Sequence, residues 1–439
     1  MEWTLLIIIL AIVGMIVASV RYKVHPFISL LLASLVVGLG TGISLDETLI
    51  AIQKGFGDLM GYIGLIVVLG SILGVALEKS GAALRLADAV LQWLGKKRPT
   101  LAMSVIGTVV GIPVFCDSGF IILSGLKNAV AKKSQASQGA LALALASGLY
   151  TAHTLIPPTP GPIAAAGNMG AGDHIGLIMI LGLIVTIPTV GVAYWWASRQ
   201  GQKIQTELPY IEEETKTQGP TLAQSLLPIG IPIVLIALAS VIKFMQWELA
   251  LANILVFLGQ PVVALLIGVG IAFGLYKTEE KSNWTVEGIK LAGPILIITG
   301  AGGALGGVLK ATTLAESIKG WMNYGADSGI IVLLLAFGIA ALLKTMQGSS
   351  TSSLVITSSI LAPLLPAVGF DSSIELSLAV LAVGAGAMTV SHANDSYFWV
   401  VSQFSGISMR DAYRNYTVMT GLQGVAAMIV VLILYLVLG

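Results

Sequence analysis

Four short polar stretches interrupt the most apolar parts of this 439-residue chain. FCDSGF (115–120) supplies Asp117, and HTLIPPTPGP (153–162) sets His153 ahead of four prolines. QGSSTSS (347–353) offers a row of hydroxyls and an amide, with Lys344 three residues upstream. SHANDSYFW (391–399) crowds Ser391, His392, Asn394, Asp395 and Ser396 into six positions. Carboxylates and imidazoles are the groups that pick up and release protons. Hydroxyl, amide and ammonium donors are those that hold an anion. A serine of QGSSTSS with His392 or His153 and Asp395 would also compose a hydrolase, and glycine-rich hairpins would compose a channel. The hydrolase reading leaves the internal duplication and the paired hairpins unexplained, and a channel would show conductance far above carrier turnover.

Such groups need elements to position them. Pro157, Pro158, Pro160 and Pro162 lack a backbone donor and clash with a continuing helix, so the helix around 139–171 must break. In hydrocarbon an unpaired carbonyl costs several kcal/mol, and a break survives only where it lines a cavity or is covered by protein. The restart from Gly161 to Gly167 presents the positive end of a half-helix. The SHANDSYFW stretch breaks a second run, about 374–405, in the same way. Two more stretches, about 101–133 and 329–369, each place two apolar arms around a small polar tip, the pattern of a re-entrant hairpin.

Composition fixes the solvent. Of all residues 56% are hydrophobic and only 10% charged, against roughly 25% charged in a typical soluble domain. Spans are predicted near 3–20, 27–43, 60–77, 139–171, 174–197, 225–242, 250–275, 288–309, 374–405 and 417–438, giving an all-α polytopic membrane protein. Arg21 and Lys23 follow the first apolar run, the reverse of the charge order in a cleaved secretory signal, so it is expected to remain a span. If both hairpins enter and leave on one side, eighteen of the 23 basic residues, Lys127 among them, face one compartment. That bias matches the positive-inside rule and predicts both termini outside the cytoplasm. The single Cys116 excludes an intramolecular disulfide framework, the four histidines lack metal-site spacing, and a net charge of +1 gives no sign of nucleic-acid binding.

The halves repeat. LGSILGVALEKSGAALRLADAVLQWLG (69–95) resembles AGGALGGVLKATTLAESIKGWM (301–322), with Gly74 over Gly306 and Leu86-Ala87-Asp88 over Leu314-Ala315-Glu316. Asp117 and Ser349 stand the same distance downstream of these glycines, and TAH (151–153) falls over VSH (390–392). The expected architecture is an inverted-topology repeat of about five spans plus one hairpin each, over 1–205 and 225–439, joined by a cytoplasmic linker at 206–224.

An inverted repeat with broken elements at its centre is the signature of a secondary transporter. One basic side chain, half-helix amino ends and many neutral donors suit a small, hydroxyl-rich monoanion. The expected substrate ligands are Ser118, Thr159, Gly161, Lys344, Gln347, Gly348, Ser349, Ser350, Thr351, His392, Asn394 and Ser396. Asp117, His153 and Asp395 are the expected proton carriers, with Asp117 ranked first and His153 second. Sodium is the alternative coupling ion, since unwound carbonyls with Asn394 and Asp395 also make an oxygen-rich cation site. No cofactor or structural metal is expected.

GIPVFCDSGF (111–120), HTLIPPTPGP, Lys344 before QGSST, and SHANDSYFW together resemble the gluconate permease family, proton-coupled sugar-acid carriers of the ion transporter superfamily. Thr159 and Lys344 stand where many members carry histidine and arginine. The resemblance implies uptake of gluconate or a related hydroxy acid across the bacterial inner (cytoplasmic) membrane. It further implies a homodimer in which a transport domain moves against a scaffold by elevator-type alternating access.

Overall fold

The computed structural model describes residues 2–94, 98–206, 219–244, 251–276, 279–312, 327–392 and 395–438. Among these the chain is helical throughout, apart from one isolated antiparallel bridge between Thr206 and Ile407. The first half contains α1 (Glu2–Arg21), α2 (Pro26–Gly40), α3 (Leu45–Lys79), α4 (Ala82–Leu94), α5 (Pro99–Gly111), α6 (Cys116–Ser134), α7 (Gln138–Leu155), α8 (Pro160–Asn168) and α9 (Ile175–Gln200). The second contains α10 (Leu222–Phe244), α11 (Ala252–Leu258), α12 (Pro261–Leu275), α13 (Lys281–Ala311), α14 (Asp327–Gln347), α15 (Ser350–Leu361), α16 (Ser373–Ala387), α17 (Ser396–Ser405) and α18 (Val418–Leu438).

Local chemistry sets these boundaries. Ser44 with Glu47 and Ser372 with Glu375 form capping boxes that satisfy the free amides opening α3 and α16. Proline occupies the first turn of α2, α5, α8 and α12, where its missing donor costs nothing. Helix α7 ends at Leu155 and α8 restarts at Pro160, which places the break on the proline cluster. At the second hairpin tip Gly348 adopts φ +83°, a conformation that favours glycine.

Helix α7 is buried from Gly139 to Leu155, so it reads as small and apolar on every face. Its packing on α5 depends on two glycines. A Cβ on Gly148 would stand 2.1 Å from the Ser104 carbonyl oxygen, and one on Gly107 would stand 2.4 Å from that of Leu145. The largest apolar core is built from α5–α7, α9, α14 and α16–α18, with smaller contributions from α4, α8 and α15. Two smaller cores lie largely in α1–α3, α10, α12 and α13. Neighbour relations recur across the two halves: α5 packs on α7 as α14 packs on α16, and α6 packs on α17 as α15 packs on α8.

By length and apolarity, six described helical segments suffice to cross a membrane, or eight if each bent pair counts as one span. The structure corrects several local expectations. The 250–275 span is not one helix, because α11 and α12 meet at 67° across Gly259 and Gln260. The supposed loop at 78–100 contains α4, which buries Ala82, Ala83, Leu86 and Ala87. Helix α3 starts at Leu45, well ahead of the expected span. Helix α14 has 21 residues, so at 1.5 Å per residue this hairpin arm alone reaches across about 30 Å. Lys127, counted among the loop charges, is fully buried. Most of the linker (207–218), the Leu314-Ala315-Glu316 match and Asn394 lie outside the described residues.

Candidate functional site

The four polar stretches meet around one cavity of about 420 Å³. Phe115, Cys116 and Asp117 enter from the start of α6, and Tyr150 and His153 from the last turns of α7. The second hairpin tip supplies Gln347 through Ser352, and the opening of α17 supplies Asp395, Ser396 and Tyr397. Pro294, Ile295 and Ile298 of α13, with Val355 of α15, form an apolar wall. Three helices therefore begin at the cavity surface: α6, α15 and α17. Each turns its positive dipole end towards that space, where negative charge is favoured.

A charged pair stands behind this surface. Lys344 Nζ, with its side chain wholly buried, lies 2.6 Å from Asp395 Oδ2, and it also donates to the Gly348 carbonyl. Asp395 is the N-cap of α17, its Oδ1 accepting from the Tyr397 amide at 3.1 Å. Ser391 donates to Asp395 Oδ2 and stands 3.3 Å from the Tyr416 hydroxyl. The Ser391 amide donates to Thr420 Oγ1 at 3.0 Å, and Thr417 Oγ1 donates to the Ser391 carbonyl at 2.7 Å. A buried ion pair holds only with further hydrogen-bond partners, and here the Gly348 carbonyl serves Lys344 while Ser391 and the Tyr397 amide serve Asp395.

The rest of the lining has fewer partners. Asp117 Oδ1 accepts from Ser396 Oγ at 3.2 Å, and Cys116 Sγ lies 3.6 Å from its Oδ2. His153 Nδ1 and both amide atoms of Gln347 are buried without a hydrogen-bond partner among the described residues. Orphaned polar atoms of this kind are rare and need a reason. Here they surround a space of ligand size.

Of the residues singled out from sequence, Asp117, His153, Gln347, Gly348, Ser349, Ser350, Thr351, Asp395 and Ser396 line the cavity together. Ser118, Thr159, Gly161, Lys344 and His392 stand outside that lining. Thr159 is the N-cap of α8 and donates to the Ile156 carbonyl at 2.6 Å. Gly161 makes room for Leu354, whose Cδ1 would lie 2.7 Å from an added Cβ. His392 Nε2 sits 2.8 Å from the Thr345 carbonyl oxygen. Sequence reasoning missed Tyr150, Tyr397 and the α13 wall. Tyr150 stands one turn before His153, which was the available signal for it. Pro294 inside an apolar helix was a signal for α13.

Two further ties hold the hairpins to the broken helices. Lys127 Nζ on α6 donates to the Phe404 carbonyl at 3.0 Å and to Ser405 Oγ at 2.9 Å, at the C-terminal end of α17. It also stands 5.5 Å from the centre of the Phe120 ring. At the related contact between α8 and α15, Asn168 Nδ2 donates to the Val355 carbonyl at 3.1 Å and to Ser358 Oγ at 2.8 Å.

Comparison with known proteins follows the same boundaries. The profile of the GntP family permeases matches residues 3–437. A permease of Haemophilus influenzae is 36% identical over 429 residues, covering 91% of this chain and 86% of the relative. A gluconate permease of Pseudomonas aeruginosa is 31% identical over 460 residues, covering 99% and 98%. Among solved structures, the YdaH transporter of Alcanivorax borkumensis superposes with a TM-score of 0.68 at 14% identity, covering 94% of this chain and 98% of that one.

Proposed function

The chain belongs to the GntP family of permeases, a multi-pass membrane transporter and not an enzyme, and from that premise we propose that it imports gluconate or a related small hydroxy or sugar acid together with a proton. One observation carries this reading: the starts of α6, α15 and α17 and the last turns of α7 converge on a single cavity whose wall holds hydroxyls, amide and imidazole atoms without a partner among the described residues, and three helix amino ends. Such a lining replaces the water that a carboxylate and its neighbouring hydroxyls give up on entry.

An inside-negative potential opposes entry of a monoanion by about 2.3 kcal/mol at 100 mV, and one proton carried along removes that term. Asp117, His153 and Asp395, all in the cavity wall, are the groups available to carry it. Alternating access is of the elevator type, in two inverted repeats, with α5–α9 and α14–α18 moving against α1–α3 and α10–α13. In support, the apolar cores are largely separate and the cavity lies where α13 meets the hairpin tips. A homodimer would anchor the stationary part, with both termini outside the cytoplasm.

The test is uptake of labelled gluconate by purified protein in liposomes under an inward pH gradient in sodium-free buffer. Accumulation that vanishes when the gradient is collapsed is the expected result. Accumulation only with a sodium gradient, or none for any hydroxy acid, would reject the proton-coupled reading.

A further inference from the structure

The geometry points to Asp395 as an internal stand-in for the substrate carboxylate: the arriving anion takes over Lys344, and the proton that enters with it goes to Asp395. This rests on the anion–proton reading above and names the atoms that would couple the two.

Lys344 has no exposed surface and does not line the cavity, whereas Asp395 does. The carboxylate therefore stands between the ligand space and the buried cation. An anion entering beside an ionised Asp395 meets a like charge at close range, and Lys344 is already engaged at 2.6 Å. Protonation of Asp395 removes both obstacles together. The neutral acid keeps Ser391 and the Tyr397 amide as partners, while the ammonium, still held by the Gly348 carbonyl at the tip, is left to the substrate. Gly348 itself lines the cavity, so the tip is the short path by which that charge is reached.

The charges balance in each state. The empty site holds one ammonium and one carboxylate. The loaded site holds the same ammonium, the substrate carboxylate and a neutral Asp395. One O–H bond forms on Asp395, no substrate bond breaks, and the proton comes from the aqueous phase that delivered the anion. Both crossings are then neutral at this cluster, and buried net charge is the costly alternative.

Other titratable groups face Asp395 without filling this role. Cys116 and Asp117 approach from α6, Tyr150 and His153 from α7, Tyr416 from the turn before α18, and Tyr397 from its own helix. Asp117 is the other cavity carboxylate, but its partners among the described residues are the neutral Ser396 hydroxyl and Cys116 thiol. It has no cation to surrender.

The experiment uses the full chain in liposomes with gluconate as probe. Asp395→Asn fixes the neutral form: it should exchange labelled gluconate across the membrane at equal pH yet fail to concentrate it under a pH gradient. In the wild type, a potassium diffusion potential set by valinomycin should leave pH-driven uptake unchanged. Concentrative uptake by Asp395→Asn, or uptake that follows the imposed potential, would overturn the proposal. Should Asp395→Asn not fold, titration calorimetry in two buffers of different ionisation heat decides the matter. Wild type should take up one proton per gluconate bound, and Asp395→Glu, which keeps a carboxyl at that place, should take up one over a different pH range. No proton taken up by the wild type, or a pH dependence of uptake that Asp395→Glu leaves unmoved, overturns it. A wild type that neither binds nor exchanges gluconate would instead remove the transport reading on which this rests.

Discussion

Helix α17 runs between two buried lysines that are held in opposite ways. At its start Lys344 faces the carboxylate of Asp395 at 2.6 Å. At its end Lys127 meets only neutral acceptors, the Phe404 carbonyl and Ser405 hydroxyl, with the Phe120 ring nearby. Both side chains are cut off from solvent. The helix dipole favours this polarity, an acidic group at the amino end and a cation at the carboxyl end. The difference lies in what each partner is able to do. A carbonyl dipole is permanent, so Lys127 is tied in place as a fastening between α6 and α17. A carboxylate loses its charge on taking a proton, so the bond of Lys344 is conditional, and the cavity lies against that conditional bond.

Removing each cation would sharpen or break this contrast. Lys344→Met leaves Asp395 buried without its partner and should cost about 3–5 kcal/mol of stability, with gluconate binding lost. Pairing it with Asp395→Leu should restore the melting temperature in detergent but not the binding. A double variant that bound gluconate would mean that Lys344 is only structural. Lys127→Met gives up two hydrogen bonds but sheds a buried charge, so unfolding stability should fall by no more than about 1–3 kcal/mol. Its calorimetric affinity for gluconate should stay near that of the wild type, and loss of binding there would erase the distinction between the two lysines. The smallest effect is expected from Gln347→Ala, whose amide has no hydrogen-bond partner among the described residues. Melting temperature should hold, while gluconate affinity drops about tenfold, as for one hydrogen bond to a charged group.

The polar tips and breaks were legible because backbone chemistry is local. Pro157 and Pro158 cannot continue α7 and Pro160 is tolerated only in a first turn, and the chain breaks between Leu155 and Pro160. The chain also leaves helix between Gly111 and Cys116, just ahead of most of FCDSGF, and between Gln347 and Ser350, within QGSST. Lys127 was misread because its neighbours Lys132 and Lys133 make the segment look like a solvated surface, and nothing nearby in sequence announces the α17 carboxyl end it serves.

What the sequence determined by itself was solvent, element type and the points of interruption, since burial in lipid and the loss of a backbone donor act on a residue and its immediate neighbours. The tertiary structure alone decided which charge meets which. Lys344 and Asp395 are 51 positions apart and Lys127 and Ser405 are 278 apart, and those pairings, like the α13 wall of the cavity, exist only after helices distant in the chain have packed. Coulomb and hydrogen-bond forces at buried sites are set by separations of a few ångströms, and no spacing along the chain encodes those.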